Sequence, residues 1–317
     1  MKYISISLSL FLLLITHFEL KSQQEQHNVH NMFNQVSYNP GFAGSIGGIC
    51  ATGLVRQQWV GFKDQLGNNV APQSYSINIH SPVNLLHGGI GASIYQDQLG
   101  YQKEIGVKLM YAYRRDIGMG NLGVGAQFGF INGTIDFNTL REGARDQGDP
   151  LLEGRADESD MLLDFGVGIH YVVPEKFYLG ISSTRLSEQR SSTLAYTTKR
   201  HYYLNAGYEF SFPGNPVYVI EPSLLIKSDG VKTQYDIAGL LKYNNIVWGG
   251  VSYSALRNMD PLSVLFGLRI KDVRIGYGYT IPTSKIGSSG SHEIMVGYCF
   301  QIKFERGRQS YKNTRFL

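Results

Sequence analysis

What this sequence has little of narrows it quickly. Only 17% of its 317 residues are charged, and the net charge is +4. So small an excess excludes the electrostatic footprint of a nucleic-acid binder. Beyond the N-terminus no apolar run approaches the roughly 20 residues of a spanning helix, which excludes a helical membrane protein. Two cysteines, Cys50 and Cys299, cannot build a disulfide framework. Catalytic motifs are missing as well. His292–Glu293 has no second histidine four residues on, and Gly123, Gly125 and Gly129 lack dinucleotide spacing. No G-x-S-x-G elbow occurs. No catalytic residue, cofactor or metal is therefore expected.

What is present is glycine and aromatic surface: 37 glycines, 21 tyrosines and 12% aromatic residues overall. The N-terminus reads as a secretory signal peptide over residues 1–22, with Lys2, an apolar stretch from Ile4 to Ile15, and Ser22 before the cut. Glu19 and Lys21 depart from the usual cleavage region. No cysteine follows closely enough for a lipid anchor, so the mature chain is expected to be exported.

From Gly47 onward, short alternating runs are broken by turn residues. They predict strands near 47–60, 70–81, 87–97, 103–117, 120–133, 161–173, 176–185, 201–212, 216–228, 232–243, 246–256, 261–270, 273–282 and 291–304. That is about fourteen, an even count, with most near the ~9–11 residues a tilted strand needs to cross a bilayer. Every other connection is short: Ser81–Leu86, Gly118–Met119, Pro174–Glu175, Pro213–Asn215, Asn244–Asn245 and Lys271–Asp272. The intervening ones are mostly longer, above all Thr134–Asp160 and Leu186–Arg200, with Asp229–Val231 and Arg257–Asp260 as short exceptions. Membrane barrels sort their connections this way, tight turns in the periplasm and longer loops outside.

One strand face is continuously aliphatic and aromatic. In "HEIMVGYCFQIKF" it is Ile294, Val296, Tyr298, Phe300, Ile302 and Phe304; in the fourth strand it is Ile105, Val107, Leu109, Tyr111 and Tyr113. The other face carries glycine and charges of both signs. A soluble barrel would turn the apolar face inward. Here that face is long enough on nearly every strand to form a lipid-facing band with aromatic ends, and closure satisfies every backbone hydrogen bond. The fold class is thus all-β, a transmembrane antiparallel β-barrel over 47–304. It would follow a periplasmic segment, 23–46, and precede a basic periplasmic tail, 305–317. The glycines are read as permitting curvature of the wall.

Arg56, Lys108, Arg114, Asp164, Glu209, Glu221, Asp236, Lys242, Arg274 and Glu293 should point into the lumen, with His170 and His201. Two roles are open to them, a catalytic carboxylate pair or opposite charges cross-linking a wet interior. The second is taken, because mixed interior charge is routine in such barrels. Trp59 in "RQQWVGF" is read as an interface anchor. Cys50 and Cys299 fall on the same face of the first and last strands. They either lie together where the sheet closes or are two unpaired small residues. The unpaired reading is adopted, since direct cross-strand disulfides are geometrically awkward.

Five segments in order carry a resemblance: "YNPGFAGS" (Tyr38–Ser45), "RQQWVGF", "GGIGASIYQDQLG" (Gly88–Gly100), "YAYRRDI" and "RIGYGYTIPTSKIGSSGSHEIMVGYCF" (Arg274–Phe300). Together they resemble the PorP/SprF family of type IX secretion membrane proteins. The resemblance implies an outer-membrane barrel of a diderm bacterium that serves type IX secretion. It implies partners among the secretion components, including a periplasmic peptidoglycan-binding lipoprotein for some members. For others the partner is a large secreted adhesin with a C-terminal sorting domain. Asn39, Pro40 and Gly44 lie in the family's N-terminal element and are candidate partner-binding residues on the periplasmic side, although Asn-Pro also sets a turn. The leading expectation is a non-enzymatic component that binds protein partners, against a passive or substrate-specific channel and, third, an outer-membrane enzyme.

Overall fold

The computed structural model describes residues 25–301 apart from 65, 143–152, 155, 195–196, 213, 256–259, 285 and 287–288. The signal peptide expected at 1–22, Ile302, Phe304 and the tail expected at 305–317 lie outside the described residues. So do parts of the loops around 143–152 and 256–259.

Alternation becomes a wall. The strands are β1 Gly48–Gln57, β2 Gln73–Val83, β3 Gly88–Leu99, β4 Gln102–Ile117 and β5 Gly120–Ile135. Then come β6 Glu158–Val173, β7 Phe177–Thr184, β8 His201–Tyr208, β9 Phe210–Phe212 and β10 Asn215–Ser228. The last are β11 Thr233–Tyr243, β12 Val247–Ala255, β13 Leu262–Ile270, β14 Val273–Thr280 and β15 Ser291–Gln301. β8 and β9 are two pieces of one stave interrupted at Glu209, since both pair with β10. Each stave pairs antiparallel with its sequence neighbours, and β15 returns to β1, so fourteen staves close into a barrel. Closure leaves no edge whose unpaired N–H and C=O groups would face hydrocarbon.

The two faces separate as the pattern required. Leu109 is 60% exposed and Phe266 56%, whereas Lys108, next in sequence to Leu109, is 3% exposed. On β15, Ile294, Val296, Tyr298 and Phe300 are exposed while Glu293 and Met295 are buried. The oily face points outward, where lipid covers it.

Tight turns gather at one end. Asn244 and Asn245 take φ of 52° and 53° between β11 and β12, the two positive values of a type I′ hairpin, which asparagine tolerates. The other end carries the longer connections, 58–72, 136–157, 185–200 and 281–290. One expectation needs revising there. β3 and β4 run on until only Gly100 and Tyr101 join them, because β4, β5 and β6 are each 16 residues long. The wall stands taller on that side than a bilayer requires.

The cysteines are the clearest correction. Cys50 and Cys299 face each other in the register that joins β1 to β15, and they form a disulfide with Cα atoms 4.1 Å apart. That separation falls at the short end of the narrow, non-hydrogen-bonded positions of an antiparallel ladder, about 4.5 Å, where side chains approach most closely. The bond bridges the seam that closes the barrel.

Candidate functional site in the barrel lumen

The segment ahead of β1 does not lie below the wall on the periplasmic side. It runs through the lumen. Three short 3-10 turns, Asn31–Phe33, Gln35–Ser37 and Pro40–Phe42, fold residues 25–45 into a plug whose side chains are mostly buried. Asn39 starts the third turn. Its Oδ1 accepts from the Gly41 N–H at 2.9 Å, as an N-cap does, and Pro40 sits at the first position, where its missing N–H costs nothing.

Three polar clusters tie plug to wall. Glu293 of β15 accepts the backbone N–H groups of Val29 and His30 at 2.8 Å each. Its carboxylate also meets His30 Nδ1 at 2.6 Å and Arg56 Nη1 at 3.2 Å. Glu25 lies 3.1 Å from Arg185 Nε and 3.7 Å from Lys108 Nζ, and it accepts from the Tyr203 hydroxyl. Lys108 reaches Asp164 at 3.6 Å, and Arg185 reaches Glu104. Asp236 faces His27 of the plug at 3.6 Å. Such charges, taken out of water, stay stable only with partners, and here each has one from another element.

At the short-turn end the plug touches the wall backbone directly. Asn39 Nδ2 donates to Ile169 O at 3.1 Å, and Arg114 Nη1 donates to Gly41 O at 3.0 Å. The His170 ring meets Gln35 Oε1 at 3.0 Å, and the Gly44 N–H donates to His80 Nδ1 at 3.3 Å. The approach is so close that side chains do not fit. A Cβ on Gly168 would lie 2.2 Å from Asn39 Oδ1, and one on Gly125 would lie 2.5 Å from Pro40. Gly44 itself has φ of +72°, where the chain turns to leave the lumen. Several strand glycines read as aids to curvature are thus the seat of the plug.

Nor is the interior simply wet. Val29 and Met32 of the plug pack with Leu54, Leu240, Trp248, Leu265 and Met295 of the wall, with Phe33 alongside. Val36, Ala43, Met110 and Ala112 form a second apolar cluster with Phe42. Two signals in the sequence pointed here. Val29, Met32, Phe33 and Val36 recur at helical spacing in a segment taken as extramembrane. Leu54, Leu240, Trp248, Leu265 and Met295 put apolar residues on the face assigned to charge.

Of the ten expected lumen charges, Arg56, Lys108, Asp164, Glu221, Asp236 and Glu293 are buried, and the ten fall into separate groups. Arg56 and Glu293 meet at the first cluster, Lys108 and Asp164 at the second. Lys242 holds Glu209 at 3.3 Å and Glu221 more closely still. Arg114 serves backbone carbonyls, and Arg274 lies 4.7 Å over the Phe33 ring. His201 is buried beside the Lys199 carbonyl. Asn39, Pro40 and Gly44 face the wall and are engaged within the chain, Asn39 through its amide and Gly44 through its backbone N–H. Trp59, read as an interface anchor, donates its indole N–H to Asp260 at 2.8 Å. Among the described residues no group of three or more His, Cys, Asp and Glu could hold a metal.

The family model described as "Type IX secretion system membrane protein PorP/SprF" matches residues 20–298. No curated protein matches the chain. Among solved structures, the outer-membrane protein Omp33 of Acinetobacter baumannii is similar at 8% identity and a TM-score of 0.44, over 82% of this chain and 100% of that one. The toluene transporter TbuX of Ralstonia pickettii is similar at 12% identity and 0.47, over 87% and 94%. The KdgM porin follows at 9% identity and 0.38, over 79% and 99%. At these values none carries an argument about transport.

Proposed function

Because the chain belongs to the PorP/SprF family of type IX secretion system membrane proteins, we propose that it acts there as a closed, non-enzymatic barrel that works through protein contacts. It supports export or surface attachment of secreted proteins by binding type IX components, a large adhesin with a C-terminal sorting domain, or a periplasmic peptidoglycan-binding lipoprotein. The plug is the observation that carries this reading. Residues 25–45 occupy the lumen and are fastened to the wall by Glu293 and by the Glu25 cluster. A barrel filled by its own chain has its two rims left to act with.

Gene deletion with fractionation of the secreted proteins tests the role. One or a few secreted proteins should become trapped or released instead of surface-bound, and unchanged localisation of all of them would refute the proposal. Planar-bilayer recording tests the competing channel reading. The purified barrel should give no steady single-channel current at neutral pH.

A further inference from the structure

Two arginines at the short-turn rim make no direct ion pair among the described residues, although Glu209 and Glu221 lie close enough to act on Arg274 through space. Arg269 near the end of β13 and Arg274 near the start of β14 stand directly opposite each other in the hairpin register. Like charges at such positions repel, their side chains rooted about 5 Å apart. Among the described residues neither makes an ion pair. The Arg269 Nε donates to the backbone of Lys271 at 3.1 Å, and the Arg274 guanidinium lies over Phe33. Lys242, the next cation along the wall, is already occupied by Glu209 and Glu221. Asp272 lies on the same turn and pairs with neither arginine.

Both arginines line a cavity of about 230 Å³ between plug and wall, at the rim where the N-terminal segment passes into β1. Asp272, His80 and Thr52 share the lining, so the two arginines outnumber its one carboxylate, and its apolar part is Phe33, Val36 and Phe42 from the plug with Ile46 beside them. Arginine presents a planar fork of donors that a carboxylate satisfies two at a time, and an aromatic floor favours an apolar group alongside. Inorganic anions would use the forks and leave the apolar lining unused.

We propose that this cavity is a docking site for an acidic polypeptide segment, one that carries an aromatic or aliphatic side chain next to its carboxylate and enters from the periplasm. It rests on the reading above that the rim meets protein partners. The carboxylate lies between Arg269 and Arg274, and the apolar side chain packs on Phe33 and Phe42. A neutral or basic segment would leave the arginine pair unrelieved.

The test uses the full-length mature protein in detergent and fluorescence anisotropy. The probe is a labelled peptide, Gly-Glu-Phe-Glu-Leu-Gly, compared with its glutamine counterpart and with Gly-Glu-Gly-Glu-Gly-Gly. The first should bind. Arg269→Gln with Arg274→Gln should weaken it by about tenfold or more, while Lys271→Gln on the exposed turn should not. Heat-modifiable gel mobility confirms that each variant is a folded barrel. Equal binding of the glutamine peptide, equal binding of the peptide without aromatic and aliphatic residues, displacement by inorganic phosphate alone, or no binding of the first peptide would each overturn the site. These readouts need no secretion. A failed site therefore leaves the deletion phenotype standing, and a failed phenotype leaves the site standing.

Discussion

Glu293 shows what one side chain does in this lumen. Its carboxylate is fully buried and accepts from two backbone N–H groups, a histidine and Arg56. Glu293→Gln keeps the volume and removes the charge, leaving Arg56 without its buried counter-ion. Such a break costs about 3–5 kcal/mol, and it should lower the temperature at which the barrel loses its fast gel mobility. Gly168 is informative in the opposite sense. A Cβ there meets Asn39 Oδ1 at 2.2 Å. Gly168→Val should therefore unseat the plug without removing any charge, read as protease cleavage within residues 25–45 that the wild type resists.

At the scale of an element, the plug and the loops behave differently. Without its own secondary structure beyond 3-10 turns, the plug is held only by the wall. Deleting residues 25–45 should leave a barrel that gives steady single-channel currents where the intact protein gives none. Absence of current in that variant would mean that something besides the plug closes the lumen. The loops have their own fastening at Asp260. It accepts from the Trp59 indole at 2.8 Å and from the Thr283 and Ser284 N–H groups at 2.7 Å each, joining three connections at the loop rim. Burial pushes its carboxyl up, but the hydrogen bonds from Ser284, Thr283 and Trp59 outweigh that and hold it below the ordinary 3.8. A depressed carboxylate contributes stability above its unfolded-state value and loses it as pH falls through the folded one. Acid titration should therefore change the tryptophan emission below about pH 4. Trp59→Phe should abolish that change, and its persistence would place the transition elsewhere.

For the whole molecule the decisive feature is the seam. Every other stave pair is joined by a connection within the chain, but β15 and β1 are separated by the full length of the barrel. Cys50 and Cys299 bridge them across a sequence separation of 249. Non-reducing mass spectrometry should find the two peptides linked, and replacing both by serine should lower stability in urea by about 2–4 kcal/mol. The exported compartment expected from the N-terminus permits such a bond. The seam itself was anticipated from the alternating strands, whose closure would bring the two cysteines together on one face. Their bonding was not, because sequence shows neither the register nor the 4.1 Å approach it produces.

Staves, faces and turns were legible because they are local: side chains alternate with period two, and a turn needs only its own residues. Lys108 could thus be placed inside and Leu109 outside before any coordinates. The plug was not legible, since the hydrogen-bond partners of Val29, His30 and Asn39 on the wall lie more than a hundred residues away on staves that meet only once the barrel has closed. The amino-acid sequence by itself determined the outward-facing band, the inward charges and the number of staves, all consequences of short-range periodicity. Only the tertiary structure decided which charges pair, that the lumen is filled, and that the seam is covalent. Those depend on distances through space that no spacing along the chain encodes.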